Sequence, residues 1–162
     1  MKKICGKAWK FGDGIDTDQI IPSQYLMLGT IKEMVEHTFE PVDPDFSKKV
    51  KVGDIVVAGK NFGCGSSREQ APAVLKELGI KAIIAKSFSR LFFRNSITNG
   101  LIVIECPKAV DSIKRNDIIK IDLEDNKIIT KDKTFFFQKF PENVQDILKA
   151  GGLINYMKKR NQ

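Results

Sequence analysis

The stretch Gly63-Cys64-Gly65-Ser66-Ser67-Arg68-Glu69 concentrates the groups best able to do chemistry: two hydroxyls, a guanidinium, a carboxylate and a glycine-lined backbone. Glycine lets a backbone approach a ligand closely, and Ser66 and Ser67 stand where a helix should start. Free amides and the positive end of a helix dipole attract carboxylate or phosphate there, and Arg68 adds a fork matched to a carboxylate. The same spacing also forms a cap, because Ser66 with Glu69, or Ser67 with Gln70, satisfies orphan amides as a capping box. The stretch lacks the Gly-Lys-Ser/Thr ending of a phosphate-binding P-loop.

Other candidates are weaker. Asp13, Asp16 and Asp18 cluster, but a calcium loop needs a glycine and a distal glutamate in register, and local turn chemistry explains the aspartates equally well. His37 is the single histidine and has no Ser or Cys motif around it, so a Ser-His-Asp triad has no local support. A thiolate at Cys64 would gain from a helix N-terminus, yet no base or second cysteine adjoins it, and a small residue filling a turn is the simpler role. Phe135-Phe136-Phe137 alternates faces in a strand, which points to core plus an interaction patch.

These groups need a scaffold. The 162 residues, 42% hydrophobic and 29% charged, fit a single domain spanning 1–162. Lys7 to Phe11 reads as a strand ended by Gly12-Asp13-Gly14, and Ile55-Val56-Val57-Ala58 as a strand buried on both faces. After the glycine-rich loop, Ala71, Val74, Leu75 and Leu78 fall on one helical face, closed by Gly79. A strand at Lys81 to Ala85, a helix at Arg90 to Ile97 and a strand at Leu101 to Ile104 complete an alternation typical of parallel α/β layers. Beyond Pro107 the pattern changes to a hairpin, Ile118 to Leu123 and Lys127 to Thr130, a strand at Thr134 to Phe137, and a last helix interrupted by Gly151-Gly152. The region from 24 to 49 is irregular but too apolar for a solvated linker, so a packed functional loop is expected there.

Charge and cysteines bound the partners. The net charge of +7 favours acidic partners, but the basic residues are spread thinly and not interleaved with aromatics, so nucleic-acid binding is not expected. No apolar run approaches the roughly 20 residues that span a bilayer. No membrane association is therefore expected, and a cytoplasmic location is. Cys5, Cys64 and Cys106, at wide spacings, match no disulfide framework or zinc motif.

Three segments in order, Gly12-Asp13-Gly14-Ile15-Asp16-Thr17-Asp18-Gln19-Ile20-Ile21-Pro22, Val57 through Ala71, and Ala85-Lys86-Ser87-Phe88-Ser89-Arg90 with Asn95-Ser96-Ile97-Thr98-Asn99-Gly100, resemble the 3-isopropylmalate dehydratase small-subunit family of the aconitase superfamily. The resemblance spans nearly the whole chain. It implies an α/β fold, the swivelling β/β/α domain of aconitase, with a mixed sheet flanked by helices and an added β-hairpin layer. It implies no cofactor on this chain and a large-subunit partner carrying the [4Fe-4S] cluster, whose iron serves as Lewis acid at the substrate hydroxyl. The substrate would be a small di- or tricarboxylate.

Carried onto these positions, the family pattern makes Ser66 the base that removes the proton beside a carboxylate. Arg68 would hold a substrate carboxylate, Ser67 would assist, Gly65 would bring the backbone close, and Asp18 would support the hydrogen-bond network. The loop containing Tyr25, Leu26, Met27 and Leu28 would face the variable group of the substrate. Homoaconitase-like subunits carry an arginine after Tyr-Leu, whereas Met27 stands here and favours an isopropyl group over a further carboxylate. Small subunits acting on homocitrate or methyl-substituted malates, and a non-catalytic anion-binding assembly module, are the competing readings.

Overall fold

The computed structural model describes residues 3–162. Met1 and Lys2, included in the expected single domain, lie outside the described residues. In chain order the elements are β1 (Lys3–Lys10), α1 (Thr17–Ile20), α2 (Ile31–Met34), α3 (Phe46–Lys49), β2 (Ile55–Ala58), α4 (Gln70–Glu77), β3 (Ala82–Ala85), α5 (Arg90–Thr98), β4 (Ile102–Glu105), α6 (Pro107–Ser112), β5 (Ile118–Asp122), β6 (Lys127–Ile129), β7 (Thr134–Phe136), α7 (Glu142–Ala150) and α8 (Leu153–Arg160). Two turns of 3-10 helix, Ser23–Leu28 and Val35–His37, lie within the irregular region.

The strands form one curled sheet in the order β4-β3-β2-β1-β5-β6-β7. β1 belongs to both halves. Its residues Ala8 to Lys10 pair with β2 in parallel, and Lys3 to Lys7 pair with β5 antiparallel. The β2–β3 and β3–β4 pairs are parallel, while β5–β6 and β6–β7 are antiparallel. The expected hairpin strands are thus joined to the parallel half by hydrogen bonds across β1. Every residue of β2 and β3 is buried, as a parallel layer covered on both faces requires. α4 packs on α5, and α7 and α8 pack together against α5.

The irregular region is packed, as its composition predicts. Phe39 and Phe46 are fully buried, and Phe39 stacks on Phe11 at 4.3 Å and meets Phe46 edge-on at 4.8 Å. Phe46 meets the Trp9 ring edge-on at 5.0 Å, and Arg115 covers that ring while its guanidinium pairs with Asp43 at 2.6 Å. The Phe39 amide donates to the Ile20 carbonyl at 2.9 Å, which fixes the far end of α1.

One local expectation fails. The helix expected at Ser66 or Ser67 starts instead at Gln70, with Glu69 as its N-cap and no side-chain cap, so neither capping box forms. A helix starting at Ser66 would direct that residue's carbonyl at the Gln70 amide. The carbonyl is instead taken by the Thr17 hydroxyl at 2.7 Å. A capping box does form elsewhere: Asp16 accepts from the Gln19 amide at 2.8 Å, and the Asp16 amide donates to Gln19 Oε1 at 3.0 Å.

Phe39 is buried at the centre of the aromatic cluster. Phe39→Ala is expected to remove about 3–5 kcal/mol of stability, read as a lowered urea midpoint with an unchanged slope.

Candidate active site

The loop from Gly59 to Ser67 leaves β2 and runs between two neighbours, bonded to both. On one side Gly59 donates to the Gly12 carbonyl at 3.0 Å, Lys60 to Asp13 Oδ1 at 2.7 Å, Gly63 to the Ile15 carbonyl at 2.7 Å, and Thr17 to the Cys64 carbonyl at 2.9 Å. On the other side Asn61 donates to Ser87 Oγ at 2.8 Å, Phe62 to the Ser87 carbonyl at 3.0 Å, and Ser89 Oγ to the Gly63 carbonyl at 3.0 Å. These neighbours are the exits of β1 and β3. The three sequence segments singled out by their motifs are therefore one assembly.

Two glycines permit this closeness. A Cβ on Gly63 would lie 2.1 Å from the Phe92 ring, and Gly63 has a φ of +80°. A Cβ on Gly59 would lie 1.8 Å from Asp13 Oδ1. Neither site has room for a side chain.

The end of the loop that carries the candidate residues reaches solvent. Gly65, Ser66 and Ser67 are exposed, and among the described residues the amides of Ser66, Ser67, Arg68 and Glu69 donate to no acceptor. The Ser66 hydroxyl is likewise unbonded, whereas Ser67 Oγ accepts weakly from Asn95 Nδ2 at 3.4 Å. Consecutive amides without an acceptor among the described residues, beside a guanidinium, are an arrangement suited to holding an anion. This arrangement precedes α4 and does not coincide with its first turn.

Arg68 is oriented from behind. Its Nη1 donates to Asp18 Oδ1 and to the Ile21 carbonyl, each at 3.0 Å. The other guanidinium nitrogens have no acceptor among the described residues. Asp18 Oδ1 also accepts from the Ser23 amide at 3.0 Å. The Ser23 amide first, and Arg68 second, hold the Asp18 carboxyl below its ordinary value of 3.8. Of the three clustered aspartates, only Asp16 bonds a local amide as turn chemistry predicts; Asp13 accepts from the Lys60 amide, 47 positions along the chain, and Asp18 positions the arginine.

Tyr25, Leu26, Met27 and Leu28 occupy the 3-10 turn that follows, and they point apart. Consecutive side chains on such a turn are splayed by roughly 120°. Leu26 packs on the core, Leu28 is partly exposed, and Met27 is 89% exposed, so these side chains do not close an apolar pocket within this chain. Tyr25 is held firmly. Its ring stacks on His37 at 3.6 Å, its hydroxyl donates to Glu40 Oε1 at 2.8 Å, and Glu40 Oε2 meets His37 Nδ1 at 2.5 Å. Glu40 raises the Tyr25 hydroxyl above its ordinary value, and His37 followed by Tyr25 lowers the Glu40 carboxyl.

Sequence reasoning missed Thr17, His37, Glu40 and Asn95 as parts of this assembly. Asn95 and Thr17 lie inside the recognised segments, but nothing in their spacing tells which carbonyl or hydroxyl they reach. Cys64 faces the Gly14 carbonyl at 3.7 Å and fills a turn. Among the described residues no group of three or more His, Cys, Asp or Glu side chains is arranged to hold a metal ion, and no helix is long and apolar enough to cross a membrane.

Known proteins resemble this chain over its full length. A family model described as the aconitase C-terminal domain matches residues 30–109. The 3-isopropylmalate dehydratase small subunit of Lachnospira eligens is 51% identical over 160 residues, covering 99% of this chain and 97% of that one. The subunit of the same name from Aquifex aeolicus is 51% identical over 161 residues, covering 98% and 96%. A crystal structure of 3-isopropylmalate dehydratase from Methanocaldococcus jannaschii superposes with a TM-score of 0.93 at 50% identity, covering 98% of this chain and 95% of that one.

The Asp18 carboxyl is expected to titrate below 3.8 by carbon-detected NMR. In Arg68→Gln its midpoint should rise only part of the way back, because the Ser23 amide remains. Since the folded-state value is lowered, the pair's contribution to stability is present above about 3.8 and lost as pH falls through the lowered value.

Proposed function

The chain belongs to the 3-isopropylmalate dehydratase small-subunit family, and from that membership we propose that it completes a shared active site in which 2-isopropylmalate and 3-isopropylmalate are interconverted by dehydration and rehydration, in leucine biosynthesis. The observation that carries the site assignment is the exposed run Gly65 to Arg68, with free amides and an arginine pre-set by Asp18. The enzyme is a hydro-lyase that acts as a complex, in the cytoplasm. Its second component is a large subunit, which brings the [4Fe-4S] cluster and with it Lewis acidity toward the substrate hydroxyl. Among the described residues no group of three or more His, Cys, Asp or Glu side chains is arranged to hold a metal ion, and in this reading the chain contributes proton transfer and substrate binding.

Ser66 is the proton acceptor. A serine hydroxyl is a poor base unless its alkoxide is stabilised, and the adjoining amides with Arg68 provide a positive setting for one. The exposed hydroxyl can approach a substrate held between the two subunits and take the proton from the carbon beside a carboxylate. Arg68 uses Nη1 to grip Asp18 and Ile21, which leaves the rest of its fork for that substrate carboxylate. Ser67 and Gly65 contribute contacts along the same edge.

Substrate selection lies with the 3-10 turn. Met27 projects from the chain, so its pocket would be finished by the partner, with Leu26 and Leu28 beside it. An apolar surface accepts the isopropyl group and leaves an additional carboxylate unpaired. Tyr25, clamped by His37 and Glu40, fixes where that surface stands.

Reconstituted anaerobically with a large subunit, the protein should form the unsaturated intermediate from isopropylmalate, followed by absorbance, and leave citrate and homocitrate unchanged. Ser66→Ala should lower kcat by about 10²–10⁴-fold while still binding the large subunit. Turnover of homocitrate, or full activity in Ser66→Ala, would overturn the corresponding part of this reading. Met27→Arg should reduce kcat/KM for isopropylmalate by about tenfold or more, by desolvating a charge against an apolar group.

A further inference from the structure

Outside the site, a groove of about 660 Å³ lies between α5, the end of β4 and the segment that joins β7 to α7. A second hollow of about 570 Å³ shares Glu105, Pro107, Phe137 and Gln138 with it, so the two run together along the side where the curled sheet brings β7 near β4. Cys106 Sγ reaches the Phe136 carbonyl there at 3.8 Å.

The groove has an apolar floor and a cationic rim. Phe88, Phe93, Phe137 and Phe140 line the floor, and at the far end Phe136 is 73% exposed. Arg90, Arg94 and Lys139 stand on the rim, and none has an ionic partner among the described residues. Lys86 is already paired with Asp111 at 2.7 Å. One carboxylate, Glu105, also faces the groove and accepts weakly from the Phe88 amide at 3.4 Å. The local balance is strongly positive.

The groove adjoins the proposed active site through α5, whose Asn95, next to Arg94 on the rim, reaches Ser67 Oγ at 3.4 Å. Phe88 meets Phe62 edge-on at 6.0 Å, and Ser89, one residue on, caps α5 and donates to the Gly63 carbonyl at 3.0 Å. We infer that the groove receives an acidic segment of the large subunit, with carboxylates against Arg90, Arg94 and Lys139 and apolar side chains on the phenylalanine floor. The inference rests on the shared-site reading for the identity of the partner, and on charge complementarity and adjacency to the site for the location.

The test measures association separately from turnover. Arg94→Glu/Lys139→Glu and, as a control with the same change in net charge, Lys158→Glu/Lys159→Glu are titrated against the intact large subunit by calorimetry at two salt concentrations. Both pairs are exposed, and circular dichroism melts verify folding. The groove variant is expected to bind at least about tenfold more weakly and to lose most of its salt dependence, with the control close to the unmodified protein. Equal weakening in both variants, or in neither, would overturn the groove as the docking place. Unchanged association with a raised KM for isopropylmalate would overturn it too, by making the groove a path for the small anion. Loss of isopropylmalate turnover by the unmodified complex would count against the functional reading alone, because the association data stand without it.

Discussion

Parallel pairing of β1, β2 and β3 places three chain exits at the same end of the sheet, and every feature of the site follows from that constraint. A parallel layer directs all of its strand-to-helix loops to one edge. The loop after β2 is the middle one, so it can bond to a neighbour on each side, and it does so from Gly59 to Ser67. With both flanks occupied, the loop has no freedom to coil into an earlier helix. Its amides therefore reach the surface unbonded at Ser66 to Glu69, where an anion can use them.

Packing behind the loop explains its glycines and its rigidity. Gly63 lies against Phe92 and Gly59 against Asp13 with no space for a Cβ, so the backbone itself makes the tertiary contact. Phe92 is buried, and the aromatic cluster continues through Phe62 to Phe39 and Phe46. The hydrophobic centre of the molecule thus supports the candidate site directly. Asp18 extends the same logic to a charged group, since it is fixed by the Ser23 amide and in turn fixes Arg68. A guanidinium held on one nitrogen keeps its orientation and still presents a free face.

Exposed functionality on this scale suits a chain that works beside a partner, as the small-subunit family name implies. Free amides, an unbonded serine, a projecting Met27 and an unpaired cationic groove all face outward on a chain carrying a net charge of +7. In isolation water bonds the polar groups among them. A partner that excludes water would strengthen each of these electrostatic interactions.

The sequence by itself determined the strand and helix alternation and the buried character of β2 and β3, and it singled out Gly63 to Glu69 as the candidate for the chemistry. Hydrophobic runs and glycine-rich turns are local signals, and three motifs in order identify a family. It also pointed to packing of the region from 24 to 49, on the apolar character of Tyr25, Leu26, Met27 and Leu28, whereas the structure packs the region through Phe39 and Phe46 and leaves Met27 exposed. Only the tertiary structure decided that α4 begins at Gln70, since the Thr17 hydroxyl that takes the Ser66 carbonyl lies 49 positions away in the chain. The same holds for Arg68 with Asp18, 50 positions apart, and for the clamp of His37 and Glu40 on Tyr25. Capping-box spacing describes what a segment can do alone, and it yields when a distant donor makes a better bond with the same carbonyl.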